Sequence, residues 1–168
     1  LLTLNVRKST LIGEHDDAVI DHPYLHQTVF DAVDPRPLAE FYRRLLGLHY
    51  RLGDAPPADG EPDRQAEDWL TLCDASGRRL LAFQPVPALP PVTWPEGDQP
   101  QRIHLDLTVP TMEDLEHQHR RALELGARLL RDESDDPEEP LYVYADPSAH
   151  PFCIFVAPGG PTIEIEPG

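Results

Sequence analysis

Gln101-Arg102-Ile103-His104-Leu105-Asp106-Leu107-Thr108-Val109 alternates apolar and polar side chains with a period of two. Ile103, Leu105, Leu107 and Val109 fall on one face, and His104, Asp106 and Thr108 on the other, the pattern of a strand with one dry side. A second face carrying His beside Asp is either solvated or lines a cavity, and the neighbouring elements decide which. Downstream, Thr111 with Asp114 three residues on resembles a capping box in which Asp replaces the usual Glu. The helix so opened runs to Leu125 with Leu115, His119 and Ala122 on one face, and Gly126 closes it. Short strands follow at Arg128 to Arg131, Leu141 to Tyr144 and Pro151 to Val156, the last entered through the turn Asp146-Pro147-Ser148-Ala149. Thr162 to Glu166 adds an edge strand.

The same order stands upstream. A strand at Tyr24 to Val33 leads to Asp34 as N-cap and Pro35 at the first helical position. Leu38, Phe41, Tyr42 and Leu45 form one stripe, and Gly47 ends the helix in the left-handed conformation. Strands follow at His49 to Leu52, Trp69 to Cys73 and Leu80 to Gln84, with a polar loop before the second and the turn Asp74-Ala75-Ser76-Gly77 before the third. Each half therefore reads β-α-β-β-β. Between them Pro87, Pro90, Pro91, Pro95 and Pro100 mark a stiff extended connector. The expected division is an arm over 1–23, a module over 24–86, a Pro-rich linker over 87–101, a second module over 102–157 and an extension over 158–168. One helix per run of strands argues for an α+β fold and against a doubly wound sheet.

Composition narrows the function classes. With 30 acidic against 14 basic residues the net charge is -16, which repels phosphate backbones, so nucleic acid is not an expected partner. The same charge attracts a cationic small molecule, although runs such as Asp132 to Glu139 read as solvated loop. No apolar run approaches membrane-spanning length, and Leu1 to Lys8 lacks the features of a signal peptide, so no membrane partner and a cytoplasmic location are expected. Cys73 and Cys153 are too few for a disulfide framework and read as reduced thiols.

Three motifs in order carry a family resemblance. They are Asp34-Pro35-Arg36-Pro37-Leu38-Ala39-Glu40-Phe41-Tyr42-Arg43-Arg44-Leu45-Leu46-Gly47, then His104-Leu105-Asp106-Leu107, then Asp146-Pro147 with His150-Pro151-Phe152-Cys153. Together they resemble the vicinal oxygen chelate superfamily over about residues 25 to 157. Within it the chain looks most like the bacterial glyoxalase-like group, with the bleomycin-resistance members as relatives. The resemblance implies two tandem βαβββ modules whose mixed sheet curls around a cavity, with the helices outside. On that reading His104, Asp106 and Thr108 face the cavity, and Gln27, Val29 and Asp31 hold the matching face of the first module. It also implies a homodimer.

Metal-dependent members of the superfamily take ligands from four inward positions, typically His and Glu. Matched residue by residue, these positions hold Gln27, His104, Cys153 and either Leu81 or Ala82. His26 lies one residue out of register and points to the opposite face. No cofactor is therefore expected; a divalent metal, if held, would use His104, Gln27 and Cys153. Without metal, His104 is the candidate catalytic acid or base, because its ordinary pKa lies near neutrality.

The remaining candidates are expected to bind the ligand. They are Gln27, Asp31, Trp69, Gln84, Asp106, Cys153 and Phe155, with Phe83 and Tyr144 as further aromatics at strand spacing. A core role competes for each aromatic and for Cys153. His117 and His119 diverge on their helix and form no metal pair. The expectation is a glyoxalase-like protein that binds a small organic molecule, cationic or aromatic, with His104 moving a proton in a lyase- or isomerase-type step. Sequestration of a cationic antibiotic is the alternative, and a metal-dependent lyase or dioxygenase the third reading.

Overall fold

The computed structural model describes residues 23–90 and 103–160. The expected arm up to residue 22, most of the Pro-rich linker and the strand at Thr162 to Glu166 lie outside the described residues. The first module contains β1 (Thr28–Ala32), α1 (Pro35–Leu46), β2 (His49–Tyr50), β3 (Leu70–Cys73) and β4 (Arg79–Pro85). The second contains β5 (Leu105–Val109), α2 (Met112–Glu124), β6 (Arg128–Glu133), β7 (Leu141–Ala145) and β8 (Pro151–Val156).

Each module folds into its own four-stranded sheet, ordered β1-β4-β3-β2 and β5-β8-β7-β6. The first strand of each runs parallel to the last, and the other pairings are antiparallel. The fold is α+β with two mixed sheets that do not close on each other. The helix crossover makes this possible, because parallel neighbours need a long connection between them.

Local chemistry explains the helices. Asp34 stands at the α1 N-cap in an extended conformation, but its side chain makes no capping bond; the start rests on Pro35, whose fixed φ suits the first turn. Gly47 adopts φ 66° and its amide reaches the Arg43 carbonyl, where a residue with a Cβ would be strained. At α2 the Thr111 hydroxyl accepts from the Asp114 amide at 3.1 Å and donates to the Asp114 carboxylate at 2.6 Å. The shorter Asp thus bonds the cap hydroxyl instead of reaching back to the cap amide as Glu does.

Two strands start later than their alternation suggests. Tyr24, Leu25 and Ile103 are 76%, 83% and 65% exposed, so the dry faces begin at Thr28 and Leu105. The reason lies in the partner strand: Leu105 pairs with Phe152, one residue into β8, and there is no earlier β8 residue beyond Pro151 to pair with Ile103. Conversely β6 extends to Glu133, into the acidic loop, because Asp132 and Glu133 pair with Tyr142 and Leu141.

An aromatic core joins the modules. Tyr42 stacks on Phe30 and Phe83 at 5.3 and 6.1 Å, and Tyr144 stacks on Phe152 at 5.0 Å. Phe41 and Tyr42, on α1, reach Phe152 of β8 at 5.8 and 6.4 Å. Burial of such rings is the main favourable term, each contributing about 1.5–3 kcal/mol. Arg121 of α2 donates to the Leu45 carbonyl of α1 at 2.8 Å, a polar tie at the same junction. Phe83 and Tyr144 are fully buried here, so they are core and not ligand-stacking rings. No helix among the described residues is long and apolar enough to cross a membrane.

Candidate functional site

β1 and β5 are the edge strands of their sheets, and a cleft of about 310 Å³ is lined by residues of both. β1 contributes Val29, Phe30 and Asp31 to it, and Ile103, His104 and Leu105 come from the other side. Leu89, just after β4, and His150 with Pro151, at the start of β8, also line it. The walls are mainly apolar, and the ionisable groups on them are Asp31, His104 and His150.

Strand parity groups the polar residues into two clusters. Asp31 lies in register with Gln84, whose amide donates to Asp31 Oδ1 at 2.6 Å. On the other sheet Asp106 lies in register with Cys153. The Cys153 thiol donates to Asp106 Oδ1 at 2.7 Å, and the same oxygen stands 3.1 Å from His104 Nε2. Burial first, then the hydrogen bond and charge of Asp106, push the Cys153 thiol up to about 12. It is therefore held as a thiol at neutral pH and is a poor nucleophile.

Of the candidate catalytic, ligand-binding and metal residues named from the sequence, Asp31 and His104 line the cleft. Gln84 and Asp106 stand one bond behind them, and Cys153 two. Trp69 sits at the start of β3, two strands from β1, and its indole donates to Thr71 Oγ1 at 3.2 Å. Phe155 lies half-buried on β8, in register with Thr108 and Leu141. Gln27 precedes β1, and its Oε1 is buried without a hydrogen-bond partner among the described residues. His26 points elsewhere: Arg79 Nη1 lies 2.7 Å from its Nε2. His119 stacks on Tyr142 at 4.1 Å and bonds the Tyr144 hydroxyl at 2.9 Å, a structural use, while His117 is exposed.

A metal is implied by the superfamily resemblance, so the donor set matters. His104, Asp106 and Cys153 each offer a ligand atom, all within 4.8 Å of one another. All three come from the second module, and Asp106 is not among the positions matched in the sequence. The first module's matching β4 positions are Leu81 and Ala82, which have no donor atom. Cys153 would have to lose a proton that its surroundings hold tightly. These residues do not fit the four-ligand site.

Asp146 and His150 read from the sequence as turn and motif residues and are given no functional role there. Asp146 is buried in the turn before β8, and His150 Nδ1 stands 3.0 Å from its Oδ2. The available signal was an Asp-Pro turn with a histidine four residues after the Asp.

Comparison with known proteins adds the following. A family model described as a glyoxalase-like domain matches residues 27–155. Among solved structures, a glyoxalase/dioxygenase from Nostoc punctiforme is similar at 17% identity and a TM-score of 0.58, over 94% of this chain and 99% of that one. A glyoxalase/bleomycin resistance protein/dioxygenase family enzyme from Burkholderia phytofirmans PsJN is similar at 15% identity and a TM-score of 0.54, over 78% and 96%. A lactoylglutathione lyase from Agrobacterium tumefaciens is similar at 14% identity and a TM-score of 0.50, over 85% and 100%. Identities this low carry the fold and leave the chemistry to the site. Among curated proteins none matches in sequence.

Proposed function

Because the chain belongs to the glyoxalase-like domain family, a branch of the vicinal oxygen chelate superfamily, we propose that it binds a small organic molecule in the cleft between β1 and β5, where His104 moves a proton on it. The observation that carries this reading is that Asp31 of β1 and His104, just before β5, line one cleft of about 310 Å³. That volume suits a small metabolite. Apolar walls favour a ligand with an apolar body, and Asp31 favours one that is neutral or cationic. His104 with Asp106 behind it has the elements of an acid–base pair, which serves a lyase or isomerase step without metal. A second reading, sequestration of a cationic ligand without turnover, is favoured by the net charge of -16.

The test is a thermal-shift screen against aldehyde adducts, catechols, pterins and glycopeptide antibiotics, followed by turnover assays on any ligand found. For the enzyme reading, His104→Ala keeps ligand binding and lowers turnover by roughly 10²–10⁴-fold, the usual weight of a general acid or base. Binding with no turnover in the native protein supports sequestration. Stoichiometric metal that is lost in His104→Ala overturns the metal-free reading, and no response to any ligand class overturns both.

A further inference from the structure

The turn between β7 and β8 delivers a second imidazole to this cleft. The Asp146 side chain is fully buried, and four donors converge on it. The Tyr42 hydroxyl donates to Oδ2 at 2.9 Å, and the amides of Ser148 and His150 donate to Oδ1 at 2.8 and 2.9 Å. The fourth is His150 Nδ1, at 3.0 and 3.2 Å from the two oxygens. Four donors suit a carboxylate, which only accepts. Such a group fixes the tautomer of the imidazole in front of it: the proton sits on Nδ1, and Nε2 presents a bare lone pair.

The rest of the turn sets that imidazole on the cleft. His150 stands edge-on to Phe30, with centroids 5.0 Å apart and planes at 78°, and it lines the cleft with Pro151. Both hydrogen bonds of its ring among the described residues run through Nδ1. Ala149, immediately before it, is the one non-glycine at positive φ among the described residues, at 71°. Backbone held in that region needs surroundings that over-determine it, and here they hold the carboxylate and the imidazole together.

We infer that His150 is a proton acceptor at the cleft, and that its ligand is a small, largely apolar molecule carrying an acidic hydroxyl, a phenol or an enol. The inference rests on the cleft being the ligand site. Val29, Phe30, Leu89 and Leu105 make the walls apolar, while Asp31 and the bare His150 nitrogen both accept hydrogen bonds. The matching ligand therefore brings a donor, and Asp31 disfavours one that arrives as an anion. In the step, the ligand O–H bond breaks and the proton goes to Nε2. The electron pair stays on the ligand oxygen, and Asp146 balances the imidazolium. His104, paired with Asp106 on the same cleft, is then available to the other end of the ligand.

The probe is 3-nitrophenol in neutral buffer, where free probe is mostly the phenol and the phenolate absorbs in the visible. Binding is read by calorimetry, ionisation by absorbance, and the His150 tautomer by nitrogen NMR of histidine-labelled native protein. The expected result is a bare His150 Nε2 that becomes protonated as probe is added, with a phenolate band. In His150→Gln that band is lost to the level of free probe, while affinity falls only about tenfold, the cost of one hydrogen bond. Val29→Trp, which fills the cleft, abolishes binding altogether. A phenolate band that persists in His150→Gln overturns this inference and leaves the cleft as a ligand site. A native protein that binds the probe only as phenol does the same. Absence of any binding, or binding that survives Val29→Trp, takes the cleft away from both readings. The native NMR measurement stands even where a variant folds poorly, and a proton found on Nε2 without ligand also overturns the inference.

Discussion

The Tyr42 hydroxyl of α1 donates to Asp146 Oδ2 at 2.9 Å across 104 residues of sequence, inside the core. One bond thus links the helix of the first module to the turn that opens the last strand of the second. Tyr42 is fully buried and its ring contacts Phe30, Phe83 and Phe152, so its position is set by packing from both modules.

Tyr42→Phe keeps that packing and removes the hydroxyl. Asp146 then loses one of its four donors in a site that water does not reach. A hydrogen bond to a charged group is worth about 1.5–3 kcal/mol, and that is the expected loss of unfolding free energy. Urea denaturation of native and variant protein, compared at equal m-value, measures it. A loss under about 0.5 kcal/mol, as at a surface position, would mean the bond contributes nothing to joining the modules.

The same hydroxyl sets an alkaline limit. Burial, then the charge of Asp146 and the hydrogen bond to it, hold the Tyr42 phenol well above its ordinary value. Tyr144 is also raised, by burial first and then by Tyr142. In the unfolded chain both lose their protons near pH 10, so the folded state binds more protons above that point. Stability is therefore intact below pH about 10 and falls as pH rises toward the folded values, by up to about 1.4 kcal/mol per unit for each phenol. Denaturation midpoints between pH 8 and 11 read this. In Tyr42→Phe the fall is shallower, because one of the raised phenols, which also include Tyr50 and Tyr142, is gone; an unchanged slope would assign the alkaline loss elsewhere.

Ala149 and Gly47 give a pair of opposite signs. Both occupy the left-handed region, at φ 71° and 66°. Ala149→Gly relieves the Cβ strain at the cost of a freer unfolded chain, for a net gain of about 0.5–1 kcal/mol. A Cβ at Gly47 meets nothing within 4 Å, so Gly47→Ala costs only the conformational term, about 1 kcal/mol. Thermal melting separates the two by sign. If Ala149→Gly lowers the midpoint, the turn is held by something other than the strained conformation.

What could be read beforehand divides along physical lines. Alternation and caps act locally, so β4, β8 and both helices were visible in residues such as Gly47, Thr111 and the stripe from Leu38 to Leu45. Parity also put Asp106 with Cys153 and Asp31 on the face away from the core. Parity says which face a side chain takes and nothing about how two sheets stand to each other. Trp69 and Phe155 therefore lie away from the cleft, and the polar residues form two clusters instead of one ring. His150 was visible as part of a motif, but its role was not, for a different reason. A turn has no period, and Asp146 acquires its meaning from Tyr42, 104 residues away.

Cys153 offers the most direct check on the second cluster. Its thiol is pushed to about 12, against an ordinary value of 9.0, by burial first and then by Asp106. At pH 8 its thiolate fraction is then about 10³ smaller than that of an ordinary cysteine, and alkylation follows the thiolate. Iodoacetamide labelling followed by peptide mass spectrometry should therefore mark Cys73, half-buried at the end of β3, well before Cys153. Asp106→Asn removes the carboxylate's charge and its pull on the thiol proton but leaves the burial, which is the larger cause. Labelling of Cys153 should quicken in that variant without overtaking Cys73. Should Cys153 label as fast as Cys73 in the native protein, the thiol ionises readily, and the metal-ligand reading of this face returns.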